Sequence, residues 1–212
     1  MSARDLAVDL ERRGIKDRAV LEAFASVGRE AFVPGQEGNA YADMPLAIGS
    51  GQTISQPYIV ALTVEALSLH GHERVLEIGT GSGYAAAILA QLVHELDTIE
   101  RIPELAEAAR ERLARLAPNV RVHVGDGSLG VPGRAPFDAI AVAAGAPRPP
   151  PALLHQLAIG GRLVIPTGAP DQQHLLRIVR TAPERFVETD LGEVRFVPLV
   201  GAEGWPDASA FR

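Results

Sequence analysis

One stretch limits the fold more than any other. Glu77-Ile78-Gly79-Thr80-Gly81-Ser82-Gly83-Tyr84 follows a short apolar run and opens an alanine-rich one. Three glycines in five positions let a strand turn at once into a helix and let a ligand approach the backbone closely. The pattern then repeats. Apolar strands at Arg74–Ile78, 95–99, Val120–Val124, Phe137–Val142 and 162–166 are separated by helical stretches at 84–93, Pro103–Leu116 and 149–158, the last ended by Gly160 and Gly161. Strands alternating with helices build a mostly parallel sheet covered on both faces, the doubly wound α/β class. Two more strands are expected near 175–179 and 194–200, with 186–193 connecting them. The chain has 212 residues, 47% of them hydrophobic, enough for one large α/β domain with a small annex.

The annex lies upstream. Residues 1–33 read as two short helices, the first with Leu6 and Leu10 on one face. Asp17 can cap the second, whose Val20, Leu21, Phe24 and Val27 form an apolar stripe. A Pro/Gly loop at 34–39 leads into 41–55, which has no clean period and reads as an ordered loop. A helix follows over 56–69, with Pro57 in its first turn and Ser55 at the N-cap position. The expected division is 1–70, N-terminal helices and an active-site loop packed on the core, and 71–212, the α/β core, within one compact domain.

Composition excludes several function classes. A net charge of −6 argues against nucleic acid as a main partner. With no cysteine, disulfides, thiolate zinc sites and cysteine nucleophiles are ruled out. The six histidines are scattered without metal-ligand context, so no metal is expected and surface positions are the better reading. No stretch approaches the roughly 20 apolar residues that span a bilayer, and the first residues lack the apolar core of a signal peptide. A cytoplasmic, soluble protein without membrane contact is expected.

Acidic residues at successive strand ends give the glycine loop a chemistry. Glu77 precedes it, Glu100 follows the second strand, and Asp126-Gly127 follows the third. An acid after the second strand can accept a ribose diol; a third strand-end carboxylate suits an adenine amino group. The dinucleotide fingerprint is Gly-x-Gly-x-x-Gly facing a pyrophosphate. Here the spacing is Gly-x-Gly-x-Gly, and Glu77 would repel a pyrophosphate and attract an ammonium group. S-adenosylmethionine has an ammonium, a sulfonium and no phosphate. The pattern resembles the Rossmann-like S-adenosylmethionine-dependent methyltransferases.

Gly51-Gln52-Thr53-Ile54-Ser55-Gln56-Pro57-Tyr58 narrows the resemblance. This stretch is similar to the signature loop of the protein-L-isoaspartate O-methyltransferase family. The similarity continues through Gly125-Asp126-Gly127, Phe137-Asp138-Ala139-Ile140 and the late segment Val194-Arg195-Phe196-Val197-Pro198-Leu199. The resemblance implies a seven-stranded sheet with an antiparallel strand near one edge, and N-terminal helices added to it. It implies Ser55 as the active-site residue. Thr53, Ile54, Ser55, Glu77, Gly79, Thr80, Gly81, Gly83, Glu100, Arg101, Asp126 and Gly127 would bind S-adenosylmethionine, which leaves as S-adenosylhomocysteine. Gln52, Ile54, Ser55, Val197, Pro198 and Leu199 would cradle the substrate. It implies a monomeric repair enzyme acting on isoaspartyl peptides and on unfolded or aged proteins. Ser50 stands where relatives often carry an aromatic ring. Ala143 and Gly145 replace Thr and Ala in the run after the fourth core strand, departures that bear on substrate preference. Alternatives are a family member methylating a different carboxylate and a non-catalytic S-adenosylmethionine-binding protein.

Overall fold

Buried parallel strands need apolar residues on both faces, and the core strands supply them alternately. In the computed structural model, which describes residues 1–207, β3 (Arg74–Ile78) turns Val75 to one face and Leu76 and Ile78 to the other. β6 (Phe137–Val142) does the same with Ala139 and Ala141 against Ile140 and Val142. Around them lie β4 (Glu95–Glu100), β5 (Val120–Val124), β7 (Leu157–Ala169), β8 (Gln172–Ala182) and β9 (Arg185–Val194). The order is β5-β4-β3-β6-β7-β8-β9. The first five strands are parallel; β8 is antiparallel to both its neighbours. The expected mostly parallel seven-stranded sheet is present, with its antiparallel strand next to one edge.

Five helices cover one face or flank the strands: α1 (Ala3–Arg12), α2 (Arg18–Ser26), α3 (Pro57–Ala66), α4 (Tyr84–Ala90) and α5 (Pro103–Leu116); a short α6 (Pro151–His155) packs Leu153 into the other core. Asp17 caps α2 by accepting from the amides of Ala19 and Val20. Phe24 of α2 meets the ring of Tyr84, the first residue of α4, edge-on with centroids 6.0 Å apart, and Phe32 does so at 5.4 Å. The N-terminal helices therefore pack on the turn that follows the glycine loop. Among the described residues no helix is long and apolar enough to cross a membrane.

Several expectations are corrected. Residues 41–55 contain a hairpin, β1 (Leu46–Gly49) with β2 (Gln52–Ile54), antiparallel through Leu46↔Ile54. Strands of four and three residues are too short to show a period, and Gly49 and Gly51 form their turn rather than a loop body. The last strand is β9, within the stretch expected to be a connection; 195–200 makes only isolated bridges, Gly145↔Pro198 and Val200↔Trp205. β9 is an edge strand with both faces largely wet, so its composition is polar. α6 stops at His155, and Gly160 and Gly161 lie inside β7 instead of ending a helix. His123 is only 31% exposed and pairs with buried Asp97 at 2.7 Å, so it is not a surface histidine. The last five residues of the expected 71–212 core lie outside the described residues.

Phe24 is fully buried. Phe24→Ala is expected to destabilise the chain by about 3–5 kcal/mol, the usual range for emptying an aromatic site, measured by urea unfolding.

Candidate active site

The sheet order reverses at β3: β4 and β5 extend one way, β6 and β7 the other. At such a switch point a crevice opens beyond the carboxyl ends of the strands. Glu77, the glycine loop, Glu100 and Ala143 all stand there and line one cleft of about 1060 Å³ including its mouth. Gly79, Gly81 and Gly83 take φ values of +92°, +53° and +88°, settings that strain any residue with a Cβ. The loop is stitched to β4 by the Gly79 amide donating to the Ile99 carbonyl at 2.9 Å.

Glu77 forms the floor of this cleft. It is 1% exposed. Its Oε2 accepts from the Thr98 hydroxyl at 2.6 Å, and the Thr98 and Thr80 hydroxyls are 2.7 Å apart. With the Thr98 proton given to Glu77, Thr80 is the donor in that second bond. Oε1 of Glu77 is buried without a partner. Burial pushes the pKa up to about 8, against the Thr98 hydrogen bond and with repulsion from Glu100 adding. A buried, half-satisfied carboxylate in a cleft is a site for a donor, and a cationic one suits it best. Glu100 accepts from the amides of Gly81 and Ile102, each at 3.0 Å. Two lone-pair positions remain on it, enough for a pair of hydroxyls.

Ser55 lines the same cleft, with Gln52, Thr53 and Ile54. It is not the cap of α3. The N-cap is Gln56, without a side-chain cap bond of its own. Asp43 takes that role from 15 residues away, accepting from the Tyr58 amide at 3.1 Å and from Gln56 Nε2 at 2.6 Å, and pairing with Arg13. Burial opposes ionisation of Asp43, but these hydrogen bonds outweigh it and lower its pKa. The Ser55 hydroxyl makes no hydrogen bond to any described residue. Its carbonyl accepts from Arg29 Nη2 at 2.8 Å. Arg29 is fully buried and also donates to the carbonyls of Ala40 at 2.7 Å and Ala42 at 3.3 Å. The hairpin closes the near side: Ile48 Cδ1 lies 3.3 Å from where a Cβ on Gly81 would be.

Residues 196–200 form the opposite wall. Gly145 holds them, its amide donating to the Val197 carbonyl and its carbonyl accepting from the Leu199 amide, both at 2.8 Å. Gly127 also lines the cleft, and a Cβ there would come within 2.6 Å of Ile78 Cγ2, so only glycine fits.

Two expected residues do not line the cleft. Gly83 backs onto α5, where a Cβ would lie 3.2 Å from Leu113. Asp126 spends its carboxylate on protein donors, the Ala202 amide at 2.7 Å, the Ser128 amide at 2.9 Å and the Ser128 hydroxyl at 2.7 Å. Burial opposes its ionisation, but these bonds lower its pKa. All other expected residues, Arg101 included, border the cleft. Sequence reasoning missed Thr98, Arg29 and Asp43. Each acts across the chain, and none sits in a local pattern that could reveal it.

The sequence matches the protein-L-isoaspartate(D-aspartate) O-methyltransferase (PCMT) family over residues 1–204. It is similar to the protein-L-isoaspartate O-methyltransferase of Methylorubrum populi, 58% identical over 206 residues, covering 95% of this chain and 97% of the relative. Among solved structures it is similar to a protein-L-isoaspartate O-methyltransferase at TM-score 0.87 and 30% identity, covering 95% of this chain and 67% of that one. It is also similar to a Plasmodium falciparum protein described as a beta-aspartate methyltransferase in complex with S-adenosyl-L-homocysteine, at TM-score 0.80 and 26% identity over 92% and 97% of the two chains.

Two outcomes are expected. Asp43→Ala should cost about 1 kcal/mol as a lost helix cap, whereas Ser55→Ala should change stability by less than about 0.5 kcal/mol; chemical denaturation distinguishes them. Glu77 has a folded pKa of about 8, against about 4.3 unfolded. Its contribution to stability is complete below the unfolded value and is lost as pH rises through the folded one. The ligand-free chain should therefore lose stability relative to Glu77→Gln between about pH 5 and pH 8. Parallel slopes for the two in urea titrations at several pH values would refute the assignment.

Proposed function

The chain belongs to the protein-L-isoaspartate(D-aspartate) O-methyltransferase family, and on that footing we propose that it transfers a methyl group from S-adenosylmethionine to the carboxylate of L-isoaspartyl residues in damaged peptides and proteins. One observation carries the reading. A single cleft is floored by a half-satisfied buried carboxylate, walled by a second one, and bordered by the Ser55 loop and the 196–200 arm. The acidic floor fits a cationic ligand and opposes a pyrophosphate.

When bound, S-adenosylmethionine supplies an electrophilic methyl group on a sulfonium. Glu77 would hold the ammonium of the cofactor, and Glu100 its ribose hydroxyls. Thr80 and Thr98 fix the orientation of Glu77. The acceptor carboxylate has a pKa near 4 in solution and is ionised at neutral pH, so no general base is needed. The protein's task is then to position and to exclude water. Positioning alone supplies up to about 7–11 kcal/mol in favourable cases. Ser55, freed from capping by Asp43, donates a hydrogen bond that orients the isoaspartyl carboxylate, and it forms no covalent bond. The arm at Val197, Pro198 and Leu199 bears on the peptide. Asp126 fixes the Ser128 turn and the 201–203 turn beside the cleft, and its Oδ2 keeps one acceptor position beyond the Ala202 amide. The methyl ester is then open to attack by the next backbone amide nitrogen, which expels methanol and gives a succinimide. Hydrolysis of the succinimide returns part of it as normal aspartate. The net charge of −6 disfavours a nucleic acid as partner, and a cytoplasmic monomer without membrane attachment is consistent with this role.

Labelled S-adenosylmethionine should methylate a synthetic isoaspartyl peptide and leave its normal aspartyl counterpart unlabelled. Ser55→Ala should lower kcat/KM by roughly 10–150-fold, the equivalent of one hydrogen bond to a charged group. An unchanged rate would remove Ser55 from the mechanism. No transfer to either peptide, with cofactor binding intact, would move the acceptor to another carboxylate.

A further inference from the structure

The chain must leave the sheet to build the far wall of the cleft. The last backbone pair between β8 and β9 is Gln173↔Val194. Beyond it the chain crosses towards β6 and reaches the carbonyl and amide of Gly145 at Val197 and Leu199. Residue 196 lies between these two anchors. There the side chain of Gln173 takes the place of a strand. Its Oε1 accepts from the Phe196 amide at 2.8 Å, and its Nε2 donates to the Phe196 carbonyl at 3.3 Å. A carboxamide presents an N–H donor and a carbonyl acceptor side by side, so it pairs with the amide and carbonyl of one residue and extends the ladder by one reciprocal pair. Gln173 is only 2% exposed, and such burial is costly for an amide unless both ends are satisfied. It has room because residue 145 lacks a Cβ: an atom there would fall 2.5 Å from Gln173 Nε2.

We propose that Gln173 is the positioning residue that sets the peptide-side wall of the active site. It fixes Phe196 and thereby the placement of Val197 and Pro198 against the substrate. It rests on the reading of 196–200 as the wall the peptide meets. Gln173 itself does not border the cleft, so it acts through the backbone of the arm. Asparagine is one methylene too short for the same reach, and glutamate keeps the shape while losing the donor.

The test uses Gln173→Glu and Gln173→Met in the full chain, the second retaining volume without either hydrogen bond. Both should raise KM for an isoaspartyl peptide by roughly 2- to 13-fold, the scale of one hydrogen bond, with S-adenosylmethionine affinity by calorimetry within about twofold. Trp205, the chain's single tryptophan, donates from Nε1 to the Gly145 carbonyl at 3.1 Å, so its emission reports the arm directly and should shift in both variants. In the unaltered chain the Phe196 amide should be protected from hydrogen exchange. An unprotected Phe196 amide, or unchanged emission and KM in the variants, would overturn the role of Gln173. Shifted emission with unchanged KM would overturn it also, by showing that the arm does not bear on the peptide. Failure of the unaltered chain to methylate the peptide would instead sink the functional reading, which the exchange and emission measurements do not depend on.

Discussion

The reversal of strand order at β3 is the constraint from which the site follows. Parallel strands that spread both ways from one centre send their crossover connections to opposite faces, and nothing in the sheet can fill the gap above that centre. Here the gap lies over the ends of β3 and β6, between the glycine loop and Ala143. The glycine loop gives it a floor of amides and one buried carboxylate. Beyond the ends of β4 and β5 stand Glu100, Arg101 and Gly127, α3 and α4 add side chains, and the remaining walls are brought from farther along the chain, the 52–55 strand and loop from the N-terminal side and the 196–200 arm from the C-terminal side.

Each of those walls is tied down by one buried polar side chain that bonds to backbone, in addition to the β1–β2 pairing on one side and the Gly145 backbone on the other. Arg29 grips the carbonyls of Ala40, Ala42 and Ser55, while its guanidinium carbon sits 5.7 Å from the centre of the Tyr84 ring. Gln173 grips both polar atoms of Phe196. A buried arginine facing carbonyls, with no carboxylate among its hydrogen-bond partners, carries a desolvation cost that a leucine would avoid. Burial accordingly lowers its pKa, opposed by the nearby Tyr84 and Asp43. What the guanidinium offers in return is several donors in a fixed fork, which joins two segments that the sheet does not reach. The same logic explains Asp43. By capping α3 from a distant loop it ties residues 43 and 58 together, which an N-cap at Ser55 could not do, and it leaves the serine hydroxyl uncommitted.

How far the fold could be read from sequence follows from burial. The central strands were legible because a strand buried on both faces is mostly apolar, although β3 buries Glu77 and β4 buries Asp97 and Thr98. The glycine loop was legible because only glycine meets its backbone. β9 was hidden because it lies at an edge with both faces largely wet, so its residues are polar. The segment after it reads as a strand because it is apolar, but Val197, Pro198 and Leu199 line the cleft, with Leu199 also buried in the core, and the segment pairs only through isolated bridges. In the site, Glu77 and Glu100 were legible because strand ends are fixed by the alternation of elements. Asp126 stood in the same pattern and yet turns its oxygens to Ser128 and Ala202. Its partner at 202 is 76 positions away in the sequence, where no local pattern can reach. Arg29, Asp43 and Gln173 escaped notice for the same reason.

The chemistry expected of the site agrees with its electrostatics. A reaction between an anionic acceptor and a cationic methyl donor is slowed by water around both charges, and a protein gains by holding them apart from water. Glu77 lies beneath the cleft with one oxygen satisfied by Thr98 and one free. Without a cation it is held towards its neutral form by burial. A bound ammonium would favour the charged form, so the floor is suited to a cation and not to an anion. Ser55 borders the same cleft with an uncharged hydroxyl, a group that in the proposed reaction would orient a carboxylate without holding it back by a fixed charge.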